Sequence, residues 1–366
     1  MSQQWVSRAA SAEEAVTGRH LRRLWQVPRT QLGVVGWPPT RRDRAFGSWH
    51  YWWQAHLLDT LVDAQLRDPR PERVERIRRQ IRGHRIRNAG RWTNSYYDDM
   101  AWLALALERA GRLVGVERPA ALRTLAAQLF DSWSPEDGGG IPWRKQDQFF
   151  NAPANGPAGI FLARYGMLRR AQQIADWIDE TLIDPETHLV FDGINDGSLV
   201  RAQYTYCQGV VVGLETELAV RTSDDRHARR VHRLVAAVAE NMAPHGVLVG
   251  GGGGDGGLFA GITARYLALV TTELPGDTEA DDTARNTAYD IVLASAEAAW
   301  RNRQTVDGLP LFSAFWDRPA ELPAAGVGGA RFADGAVHAS HTAERDLSVQ
   351  VSGWMLLEAA HRVTDG

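Results

Sequence analysis

Apolar residues recur along this chain with the period of an α-helix almost from end to end, while strand-like alternation is nearly absent. Leu122, Leu125, Leu129, Phe130 and Trp133 make one stripe, backed by Arg123, Thr124, Gln128 and Asp131. Val231, Leu234, Val235, Val238 and Met242 make another, interrupted by Arg229, Arg230 and Arg233. Helices of this kind keep one face in water. Segments 100–107, 206–214 and 258–270 are instead apolar nearly all round, the signature of a buried helix. In chain order, wet-faced helices are predicted near 10–27, 69–82, 117–133, 167–183, 224–242 and 279–300. Buried or mixed helices are predicted near 47–66, 95–113, 154–167, 205–221, 258–273 and 346–363. The two kinds alternate, six of each.

Alternation with a period of roughly 50–60 residues is what stacked helical hairpins produce. Six hairpins close into a ring, so the expected fold is an all-α (α/α)6 barrel, with residues 1–366 forming one catalytic domain. An open α-solenoid is the competing arrangement. In the closed form the inner helices run parallel, and the loops leading into their N-termini gather at one end. The unusual composition falls in those loops: FGSWHYWW, RWTNSYYDD, GGGIPWRKQDQFFNAPANG, RAQYTY and GGGGGDGG precede the first five inner helices.

Composition narrows the function. Fourteen tryptophans offer flat apolar faces with a polar edge, suited to sugar rings as well as to a helical core. A net charge of −3, with no local basic patch, argues against a nucleic-acid partner. The single cysteine, Cys207, excludes a disulfide framework and a multi-cysteine metal site. The eleven histidines lack zincin spacing, and His50 and His56 do not share a helical face, so no metal site is expected. The N-terminus lacks the apolar segment of a signal peptide and no run reaches membrane-span length. A cytoplasmic protein is therefore expected.

Asp98 and Asp99 stand directly before the run MAWLALAL, at the predicted start of a buried helix. Aspartate is a common helix cap, which would explain an isolated pair. Here Asn94, Tyr96 and Tyr97 flank the acids and the helix is an inner one, so the pair is expected to point into a cleft. Retaining glycosidases need two carboxyls about 5–5.5 Å apart, whereas inverting ones need about 6.5–9.5 Å to admit a water. Adjacent residues, with Cα atoms about 3.8 Å apart, suit the shorter spacing. Two close carboxylates also cannot both ionise freely, so one keeps a proton for acid catalysis. Tyr96, Tyr97 and Trp143 are the expected desolvating walls.

NSYYDDMAWLALAL resembles the active-site segment of glycoside hydrolase family 76, the α-1,6-mannanases. SWHYWWQAHLLDTLVDA, DGGGIPWR, NAPANGPAGIFLARY, YTYCQGVVVGLETEL and GGLFAGITARYLALV are similar to further family segments in the same order, over roughly 47–360. The resemblance implies Asp98 as nucleophile and Asp99 as acid/base, in a cofactor-free endo-acting enzyme that cleaves α-1,6-mannan, a mannose-rich glycolipid or a mannooligosaccharide with retention. The chain departs from the family in having Cys207 where Asn is common and Pro-Trp-Arg where aromatic pairs are usual. The family is also mostly secreted.

The remaining candidates are sugar contacts. Trp49 is the favoured stacking platform at the first inner helix, ahead of Trp52 and Trp53. Asn151 and Asn155 offer paired donors and acceptors but also suit a helix cap. Tyr206 and Gln208 lie on an apolar helix, where a buried amide needs partners. Asp255, in the glycine run 250–257, either binds a hydroxyl or caps a helix; that run lacks the Lys and Ser/Thr of a phosphate loop. Two rival functions remain: an (α/α)6 sugar epimerase or isomerase, for which only His50 stands at an inner-helix start, and a non-catalytic glycan-binding barrel.

Overall fold

The computed structural model describes residues 2–135, 138–325, 328–333 and 335–365. In chain order its helices are α1 (Ser2–His20), the one-turn α2 (Arg41–Arg44), α3 (Tyr51–Arg67), α4 (Pro71–Arg87), α5 (Tyr97–Val114), α6 (Pro119–Asp131), α7 (Ala152–Arg164), α8 (Leu168–Thr181), α9 (Thr205–Thr222), α10 (Asp225–Asn241), α11 (Phe259–Glu273), α12 (Glu279–Asn302) and α13 (Leu347–Asp365). Helices α3, α5, α7, α9, α11 and α13 pack each against the next, and α13 returns to α3, closing the inner ring. Helices α4, α6, α8, α10 and α12 lie outside, each on the inner helix that precedes it, and α1 covers α13. The protein is an (α/α)6 barrel, and the open solenoid is excluded by the α13–α3 contact.

The local reasons match the pattern. Outer helices α4 and α6 begin with proline at the first turn, where a missing N–H costs nothing. Thr278 and Asp281 form a reciprocal capping box on α12. Gly115 ends α5 in the left-handed conformation that glycine adopts without strain. Val231, Leu234, Val235 and Val238 of α10, and Met242 just beyond its end, are all buried, as their spacing predicts. Phe130 breaks the stripe assigned to α6: it is exposed, with the Arg170 guanidinium 4.4 Å from its ring centroid. Inner helices approach closely enough that a Cβ on Gly209 would lie 2.6 Å from Cα of Thr263, and one on Gly261 2.8 Å from Cα of Ser352.

Short strands, absent from the sequence reading, occupy the loops. They are β1 (Leu21–Arg22), β2 (Leu32–Gly33), β3 (Phe149–Asn151), β4 (Gly193–Asn195), β5 (Ser198–Val200), β6 (Gln304–Val306), β7 (Leu309–Leu311), β8 (Arg331–Ala333) and β9 (Ala336–His338). All pair antiparallel, as β1–β2, β3–β4–β5, β6–β7 and β8–β9. At two or three residues each, they are too short for a period-2 pattern to register. Their role is positional. Phe149 pairs with Asn195 and Asn151 with Gly193, which joins the loop before α7 to the loop before α9 at one end of the barrel.

Candidate active site

A cleft of about 310 Å³ opens at that end, lined by residues from the starts of α3, α5, α7, α9 and α11 and by the β8–β9 hairpin. It contains Asp98 and Asp99, in the first turn of α5. A larger cavity of about 540 Å³ lies at the opposite end, among the C-terminal halves of the inner helices. Its arginines and carboxylates are largely paired with one another, which leaves the smaller cleft as the candidate site.

Both aspartates keep some contact with cleft solvent, while protein atoms enclose them on their other sides. Asp98 Oδ1 accepts the Asp99 backbone N–H at 2.8 Å, and Asp98 Oδ2 accepts the Trp143 indole N–H at 3.0 Å. Asn94 Nδ2 donates to Asp99 Oδ2, while Asn94 Oδ1 accepts the Tyr96 N–H at 2.9 Å. The Trp143 loop is fastened to α5 by the Tyr97 N–H donating to the Trp143 carbonyl at 2.9 Å. Burial pushes Asp98 up to about 7, against the pull of its two donors. Burial and then the Asp98 charge push Asp99 well above the ordinary carboxyl range, with Asn94 opposing. The pair thus favours one proton, held on Asp99, and one negative charge, held on Asp98 with two donors.

A third carboxylate organises the opposite wall. Asp255 Oδ1 accepts the indole N–H groups of Trp52 at 3.0 Å and Trp53 at 2.9 Å, and Oδ2 accepts the Val337 N–H at 2.6 Å. Burial raises its pKa. The glycine run around it is close-packed: a Cβ on Gly254 would lie 2.0 Å from the Val337 carbonyl oxygen. Asp192 also lines the cleft and is pushed by burial to about 7, with the Cys207 thiol 3.9 Å from it.

Tyr96, Trp143, Asn151, Tyr206 and Asp255 line the cleft with Asp98 and Asp99. Asn94 stands behind Asp99 and reaches it by hydrogen bond. Three sugar-contact assignments, Trp49, Asn155 and Gln208, and one wall assignment, Tyr97, need correction. Trp49 does not line the cleft; it packs edge-on to Tyr51 and His84, with Arg87 over its ring. Trp52, three residues later and on α3, takes the cleft position. Tyr97 packs against the core beside the cleft. Asn155 is fully buried and spends its amide on the Ile141 backbone and the Asn151 carbonyl, staking the loop that carries Trp143. Gln208, also fully buried, is consumed by the Val190 backbone and the Tyr204 carbonyl. Asn151 caps α7 through the Ala154 N–H while still facing the cleft.

The sequence reading missed Asp192, Trp102, Phe149, Tyr204, Phe259 and, from the β8–β9 hairpin, Phe332, Gly335, Ala336 and Val337. Phe259 stacks on Tyr206 with centroids 3.9 Å apart and planes 5° apart. Its place at the start of an inner helix was a usable signal. Asp192 had none, because only the β3–β4 pairing brings it to the cleft.

Comparison with known proteins agrees with this geometry. The α-1,6-mannanase GH76A of Salegentibacter sp. HEL1_6 superposes with a TM-score of 0.81 at 27% identity, covering 98% of this chain and 99% of that one. An inactive variant of that enzyme, with two consecutive aspartates replaced by asparagine, is held in complex with α-1,6-mannotriose and matches with a TM-score of 0.80 at 27% identity over 98% and 99% of the chains. The Lin0763 protein of Listeria innocua matches with a TM-score of 0.79 at 25% identity over 97% of this chain and 96% of its own. No curated protein matches. The model of glycosyl hydrolase family 76 matches residues 8–325, and with the carboxylate pair at the end of its barrel the chain belongs to that family.

Proposed function

We propose that the protein is a retaining, endo-acting α-1,6-mannanase. The observation that carries this reading is the Asp98–Asp99 pair, whose two environments split one proton and one charge between neighbouring side chains. The inactive Salegentibacter variants, altered at two consecutive aspartates, support it. In this chain the other adjacent pairs, Asp224–Asp225 and Asp281–Asp282, sit at the starts of outer helices α10 and α12, away from the cleft.

In the first step Asp98 attacks the anomeric carbon while Asp99 gives its proton to the departing glycosidic oxygen, leaving a mannosyl ester on Asp98. In the second, Asp99, now a base, takes a proton from water as the water oxygen attacks the same carbon and frees Asp98. Two inversions give net retention. Trp143 and the Asp99 N–H hold Asp98 ionised and aimed, and Asn94 orients Asp99.

The test is incubation of wild type, Asp98→Asn and Asp99→Asn with linear α-1,6-mannooligosaccharides, with products followed by mass and the new anomer by NMR. Wild type should release shorter oligosaccharides whose first-formed anomer is α. Each variant should lose about 10³-fold in kcat. A β first anomer would overturn retention, release of mannose alone would overturn endo action, and unchanged activity in either variant would overturn the pair.

A further inference from the structure

Phe332, on β8, lines the cleft while 58% exposed, more than Tyr204, the other exposed aromatic of its lining, at 43%. Among the described residues it has no aromatic partner, unlike Tyr206, which stacks on Phe259. Gly335 and Val337, which follow in the same hairpin, are both anchored. The backbone at Gly335 rests on the Trp143 indole, where a Cβ would come within 2.5 Å of the ring. The Val337 N–H is bound by Asp255, the carboxylate that also holds Trp52 and Trp53. Phe332 is therefore held in register with both walls of the cleft. One wall leads through Trp143 to Asp98.

A large apolar ring left in water costs free energy unless something covers it when the protein works. In a sugar-cleaving cleft the matching partner is the C–H face of a pyranose ring. The space next to the pair is walled by Trp52, Trp102 and Trp143, each half-buried or buried. A ring as exposed as Phe332 lies further out, at the rim. We infer that Phe332 is the stacking platform for a mannosyl unit beyond the two that flank the cleaved bond, which makes the β8–β9 hairpin the determinant of chain-length preference. The inference rests on the mannanase reading above.

Its test compares wild type, Phe332→Ala and Phe332→Trp on α-1,6-mannooligosaccharides from triose to hexaose. Phe332→Ala should raise KM about five- to tenfold on the longest substrate, the weight of one aromatic contact, with kcat within about twofold. The shortest substrate cleaved should be unaffected, and Phe332→Trp should retain the preference for length. Equal KM at every length in Phe332→Ala and wild type would overturn the inference. So would a fall in kcat common to all lengths, because that would mean the hairpin acts only by holding Asp255 and Trp143. Calorimetric titration of Asp98→Asn/Asp99→Asn with mannohexaose, with and without Phe332→Ala, separates the two readings. If wild type cleaves none of these sugars, the mannanase reading fails. A five- to tenfold loss of affinity in this titration would still support the platform, and unaltered or absent binding would overturn it.

Discussion

At Asp98 two donors converge on one carboxylate, and the indole of Trp143 supplies the one that a mutation can remove cleanly. A donor to the charged form favours ionisation, so Trp143 holds Asp98 below where burial alone would place it. Replacing Trp143 by Phe keeps an aromatic wall and deletes the N–H. The Asp98 pKa should then rise from about 7 by about 0.5–1 unit, matching the roughly 1 kcal/mol of one hydrogen bond. Because the nucleophile proposed here must be ionised, the acid limb of the pH profile of kcat/KM should move to higher pH by the same amount. Activity should recover once the pH passes the new limb. An unmoved acid limb would mean that Asp98 does not control it. Asn94 plays the corresponding part for Asp99, and its role follows from position: two residues before Tyr96, it closes a turn with one amide atom and reaches Asp99 with the other.

At the scale of elements, the inner helices are braced at their far end by ion pairs. Asp59 and Asp63, one turn apart on α3, share Arg109 of α5 and Arg265 of α11. Burial alone would raise the pKa of Asp59, but the two guanidiniums hold it below its ordinary value of 3.8. A buried pair is a poor source of net stability, yet losing one partner is costly because the other charge stays buried. Asp59→Asn should cost about 3 kcal/mol at neutral pH, read as a lower urea midpoint at constant slope. The folded-state pKa is depressed, so this contribution is present above 3.8 and lost as the pH falls below it. The gap between variant and wild type should narrow in acid. A gap that widened in acid would contradict this sign.

At the scale of the whole molecule, the barrel depends on its N-terminus to cover its C-terminus. Helix α1 packs on α13, burying Trp5, Ala9, Ala12 and Val16, and Glu13 binds Arg67, Arg73 and Arg76 of α3 and α4. Burial of Trp5 and Val16 alone contributes about 3–6 kcal/mol, against a typical net stability of about 5–15 kcal/mol. Deleting residues 2–20 should therefore abolish the cooperative thermal transition seen by circular dichroism, or lower its midpoint by at least about 10 °C. An unshifted midpoint would mean that the ring closes without α1.

The sequence by itself determined most of the helices, their alternation and the end of the barrel at which Asp98 and Asp99 lie; it placed the first helix near 10–27, whereas α1 spans Ser2–His20 and β1 follows at once. Each of these is written in local terms: a 3.6-residue period, one wet face or none, and aspartates at a helix start followed by MAWLALAL. Only the tertiary structure decided which aromatic and amide groups face the cleft. Trp49 and Trp52 are three residues apart on nearly the same sequence signal, and packing against His84 and Arg87 turns the first away. Asn155 and Gln208 offered sugar-binding amides, but loop carbonyls and N–H groups from distant segments took them first. Asp192 and Phe332 reach the cleft through strand pairs of three residues each, too short to leave a pattern. Periodicity records which side of an element avoids water, whereas a binding surface depends on contacts between segments far apart in the chain, and no local pattern encodes those.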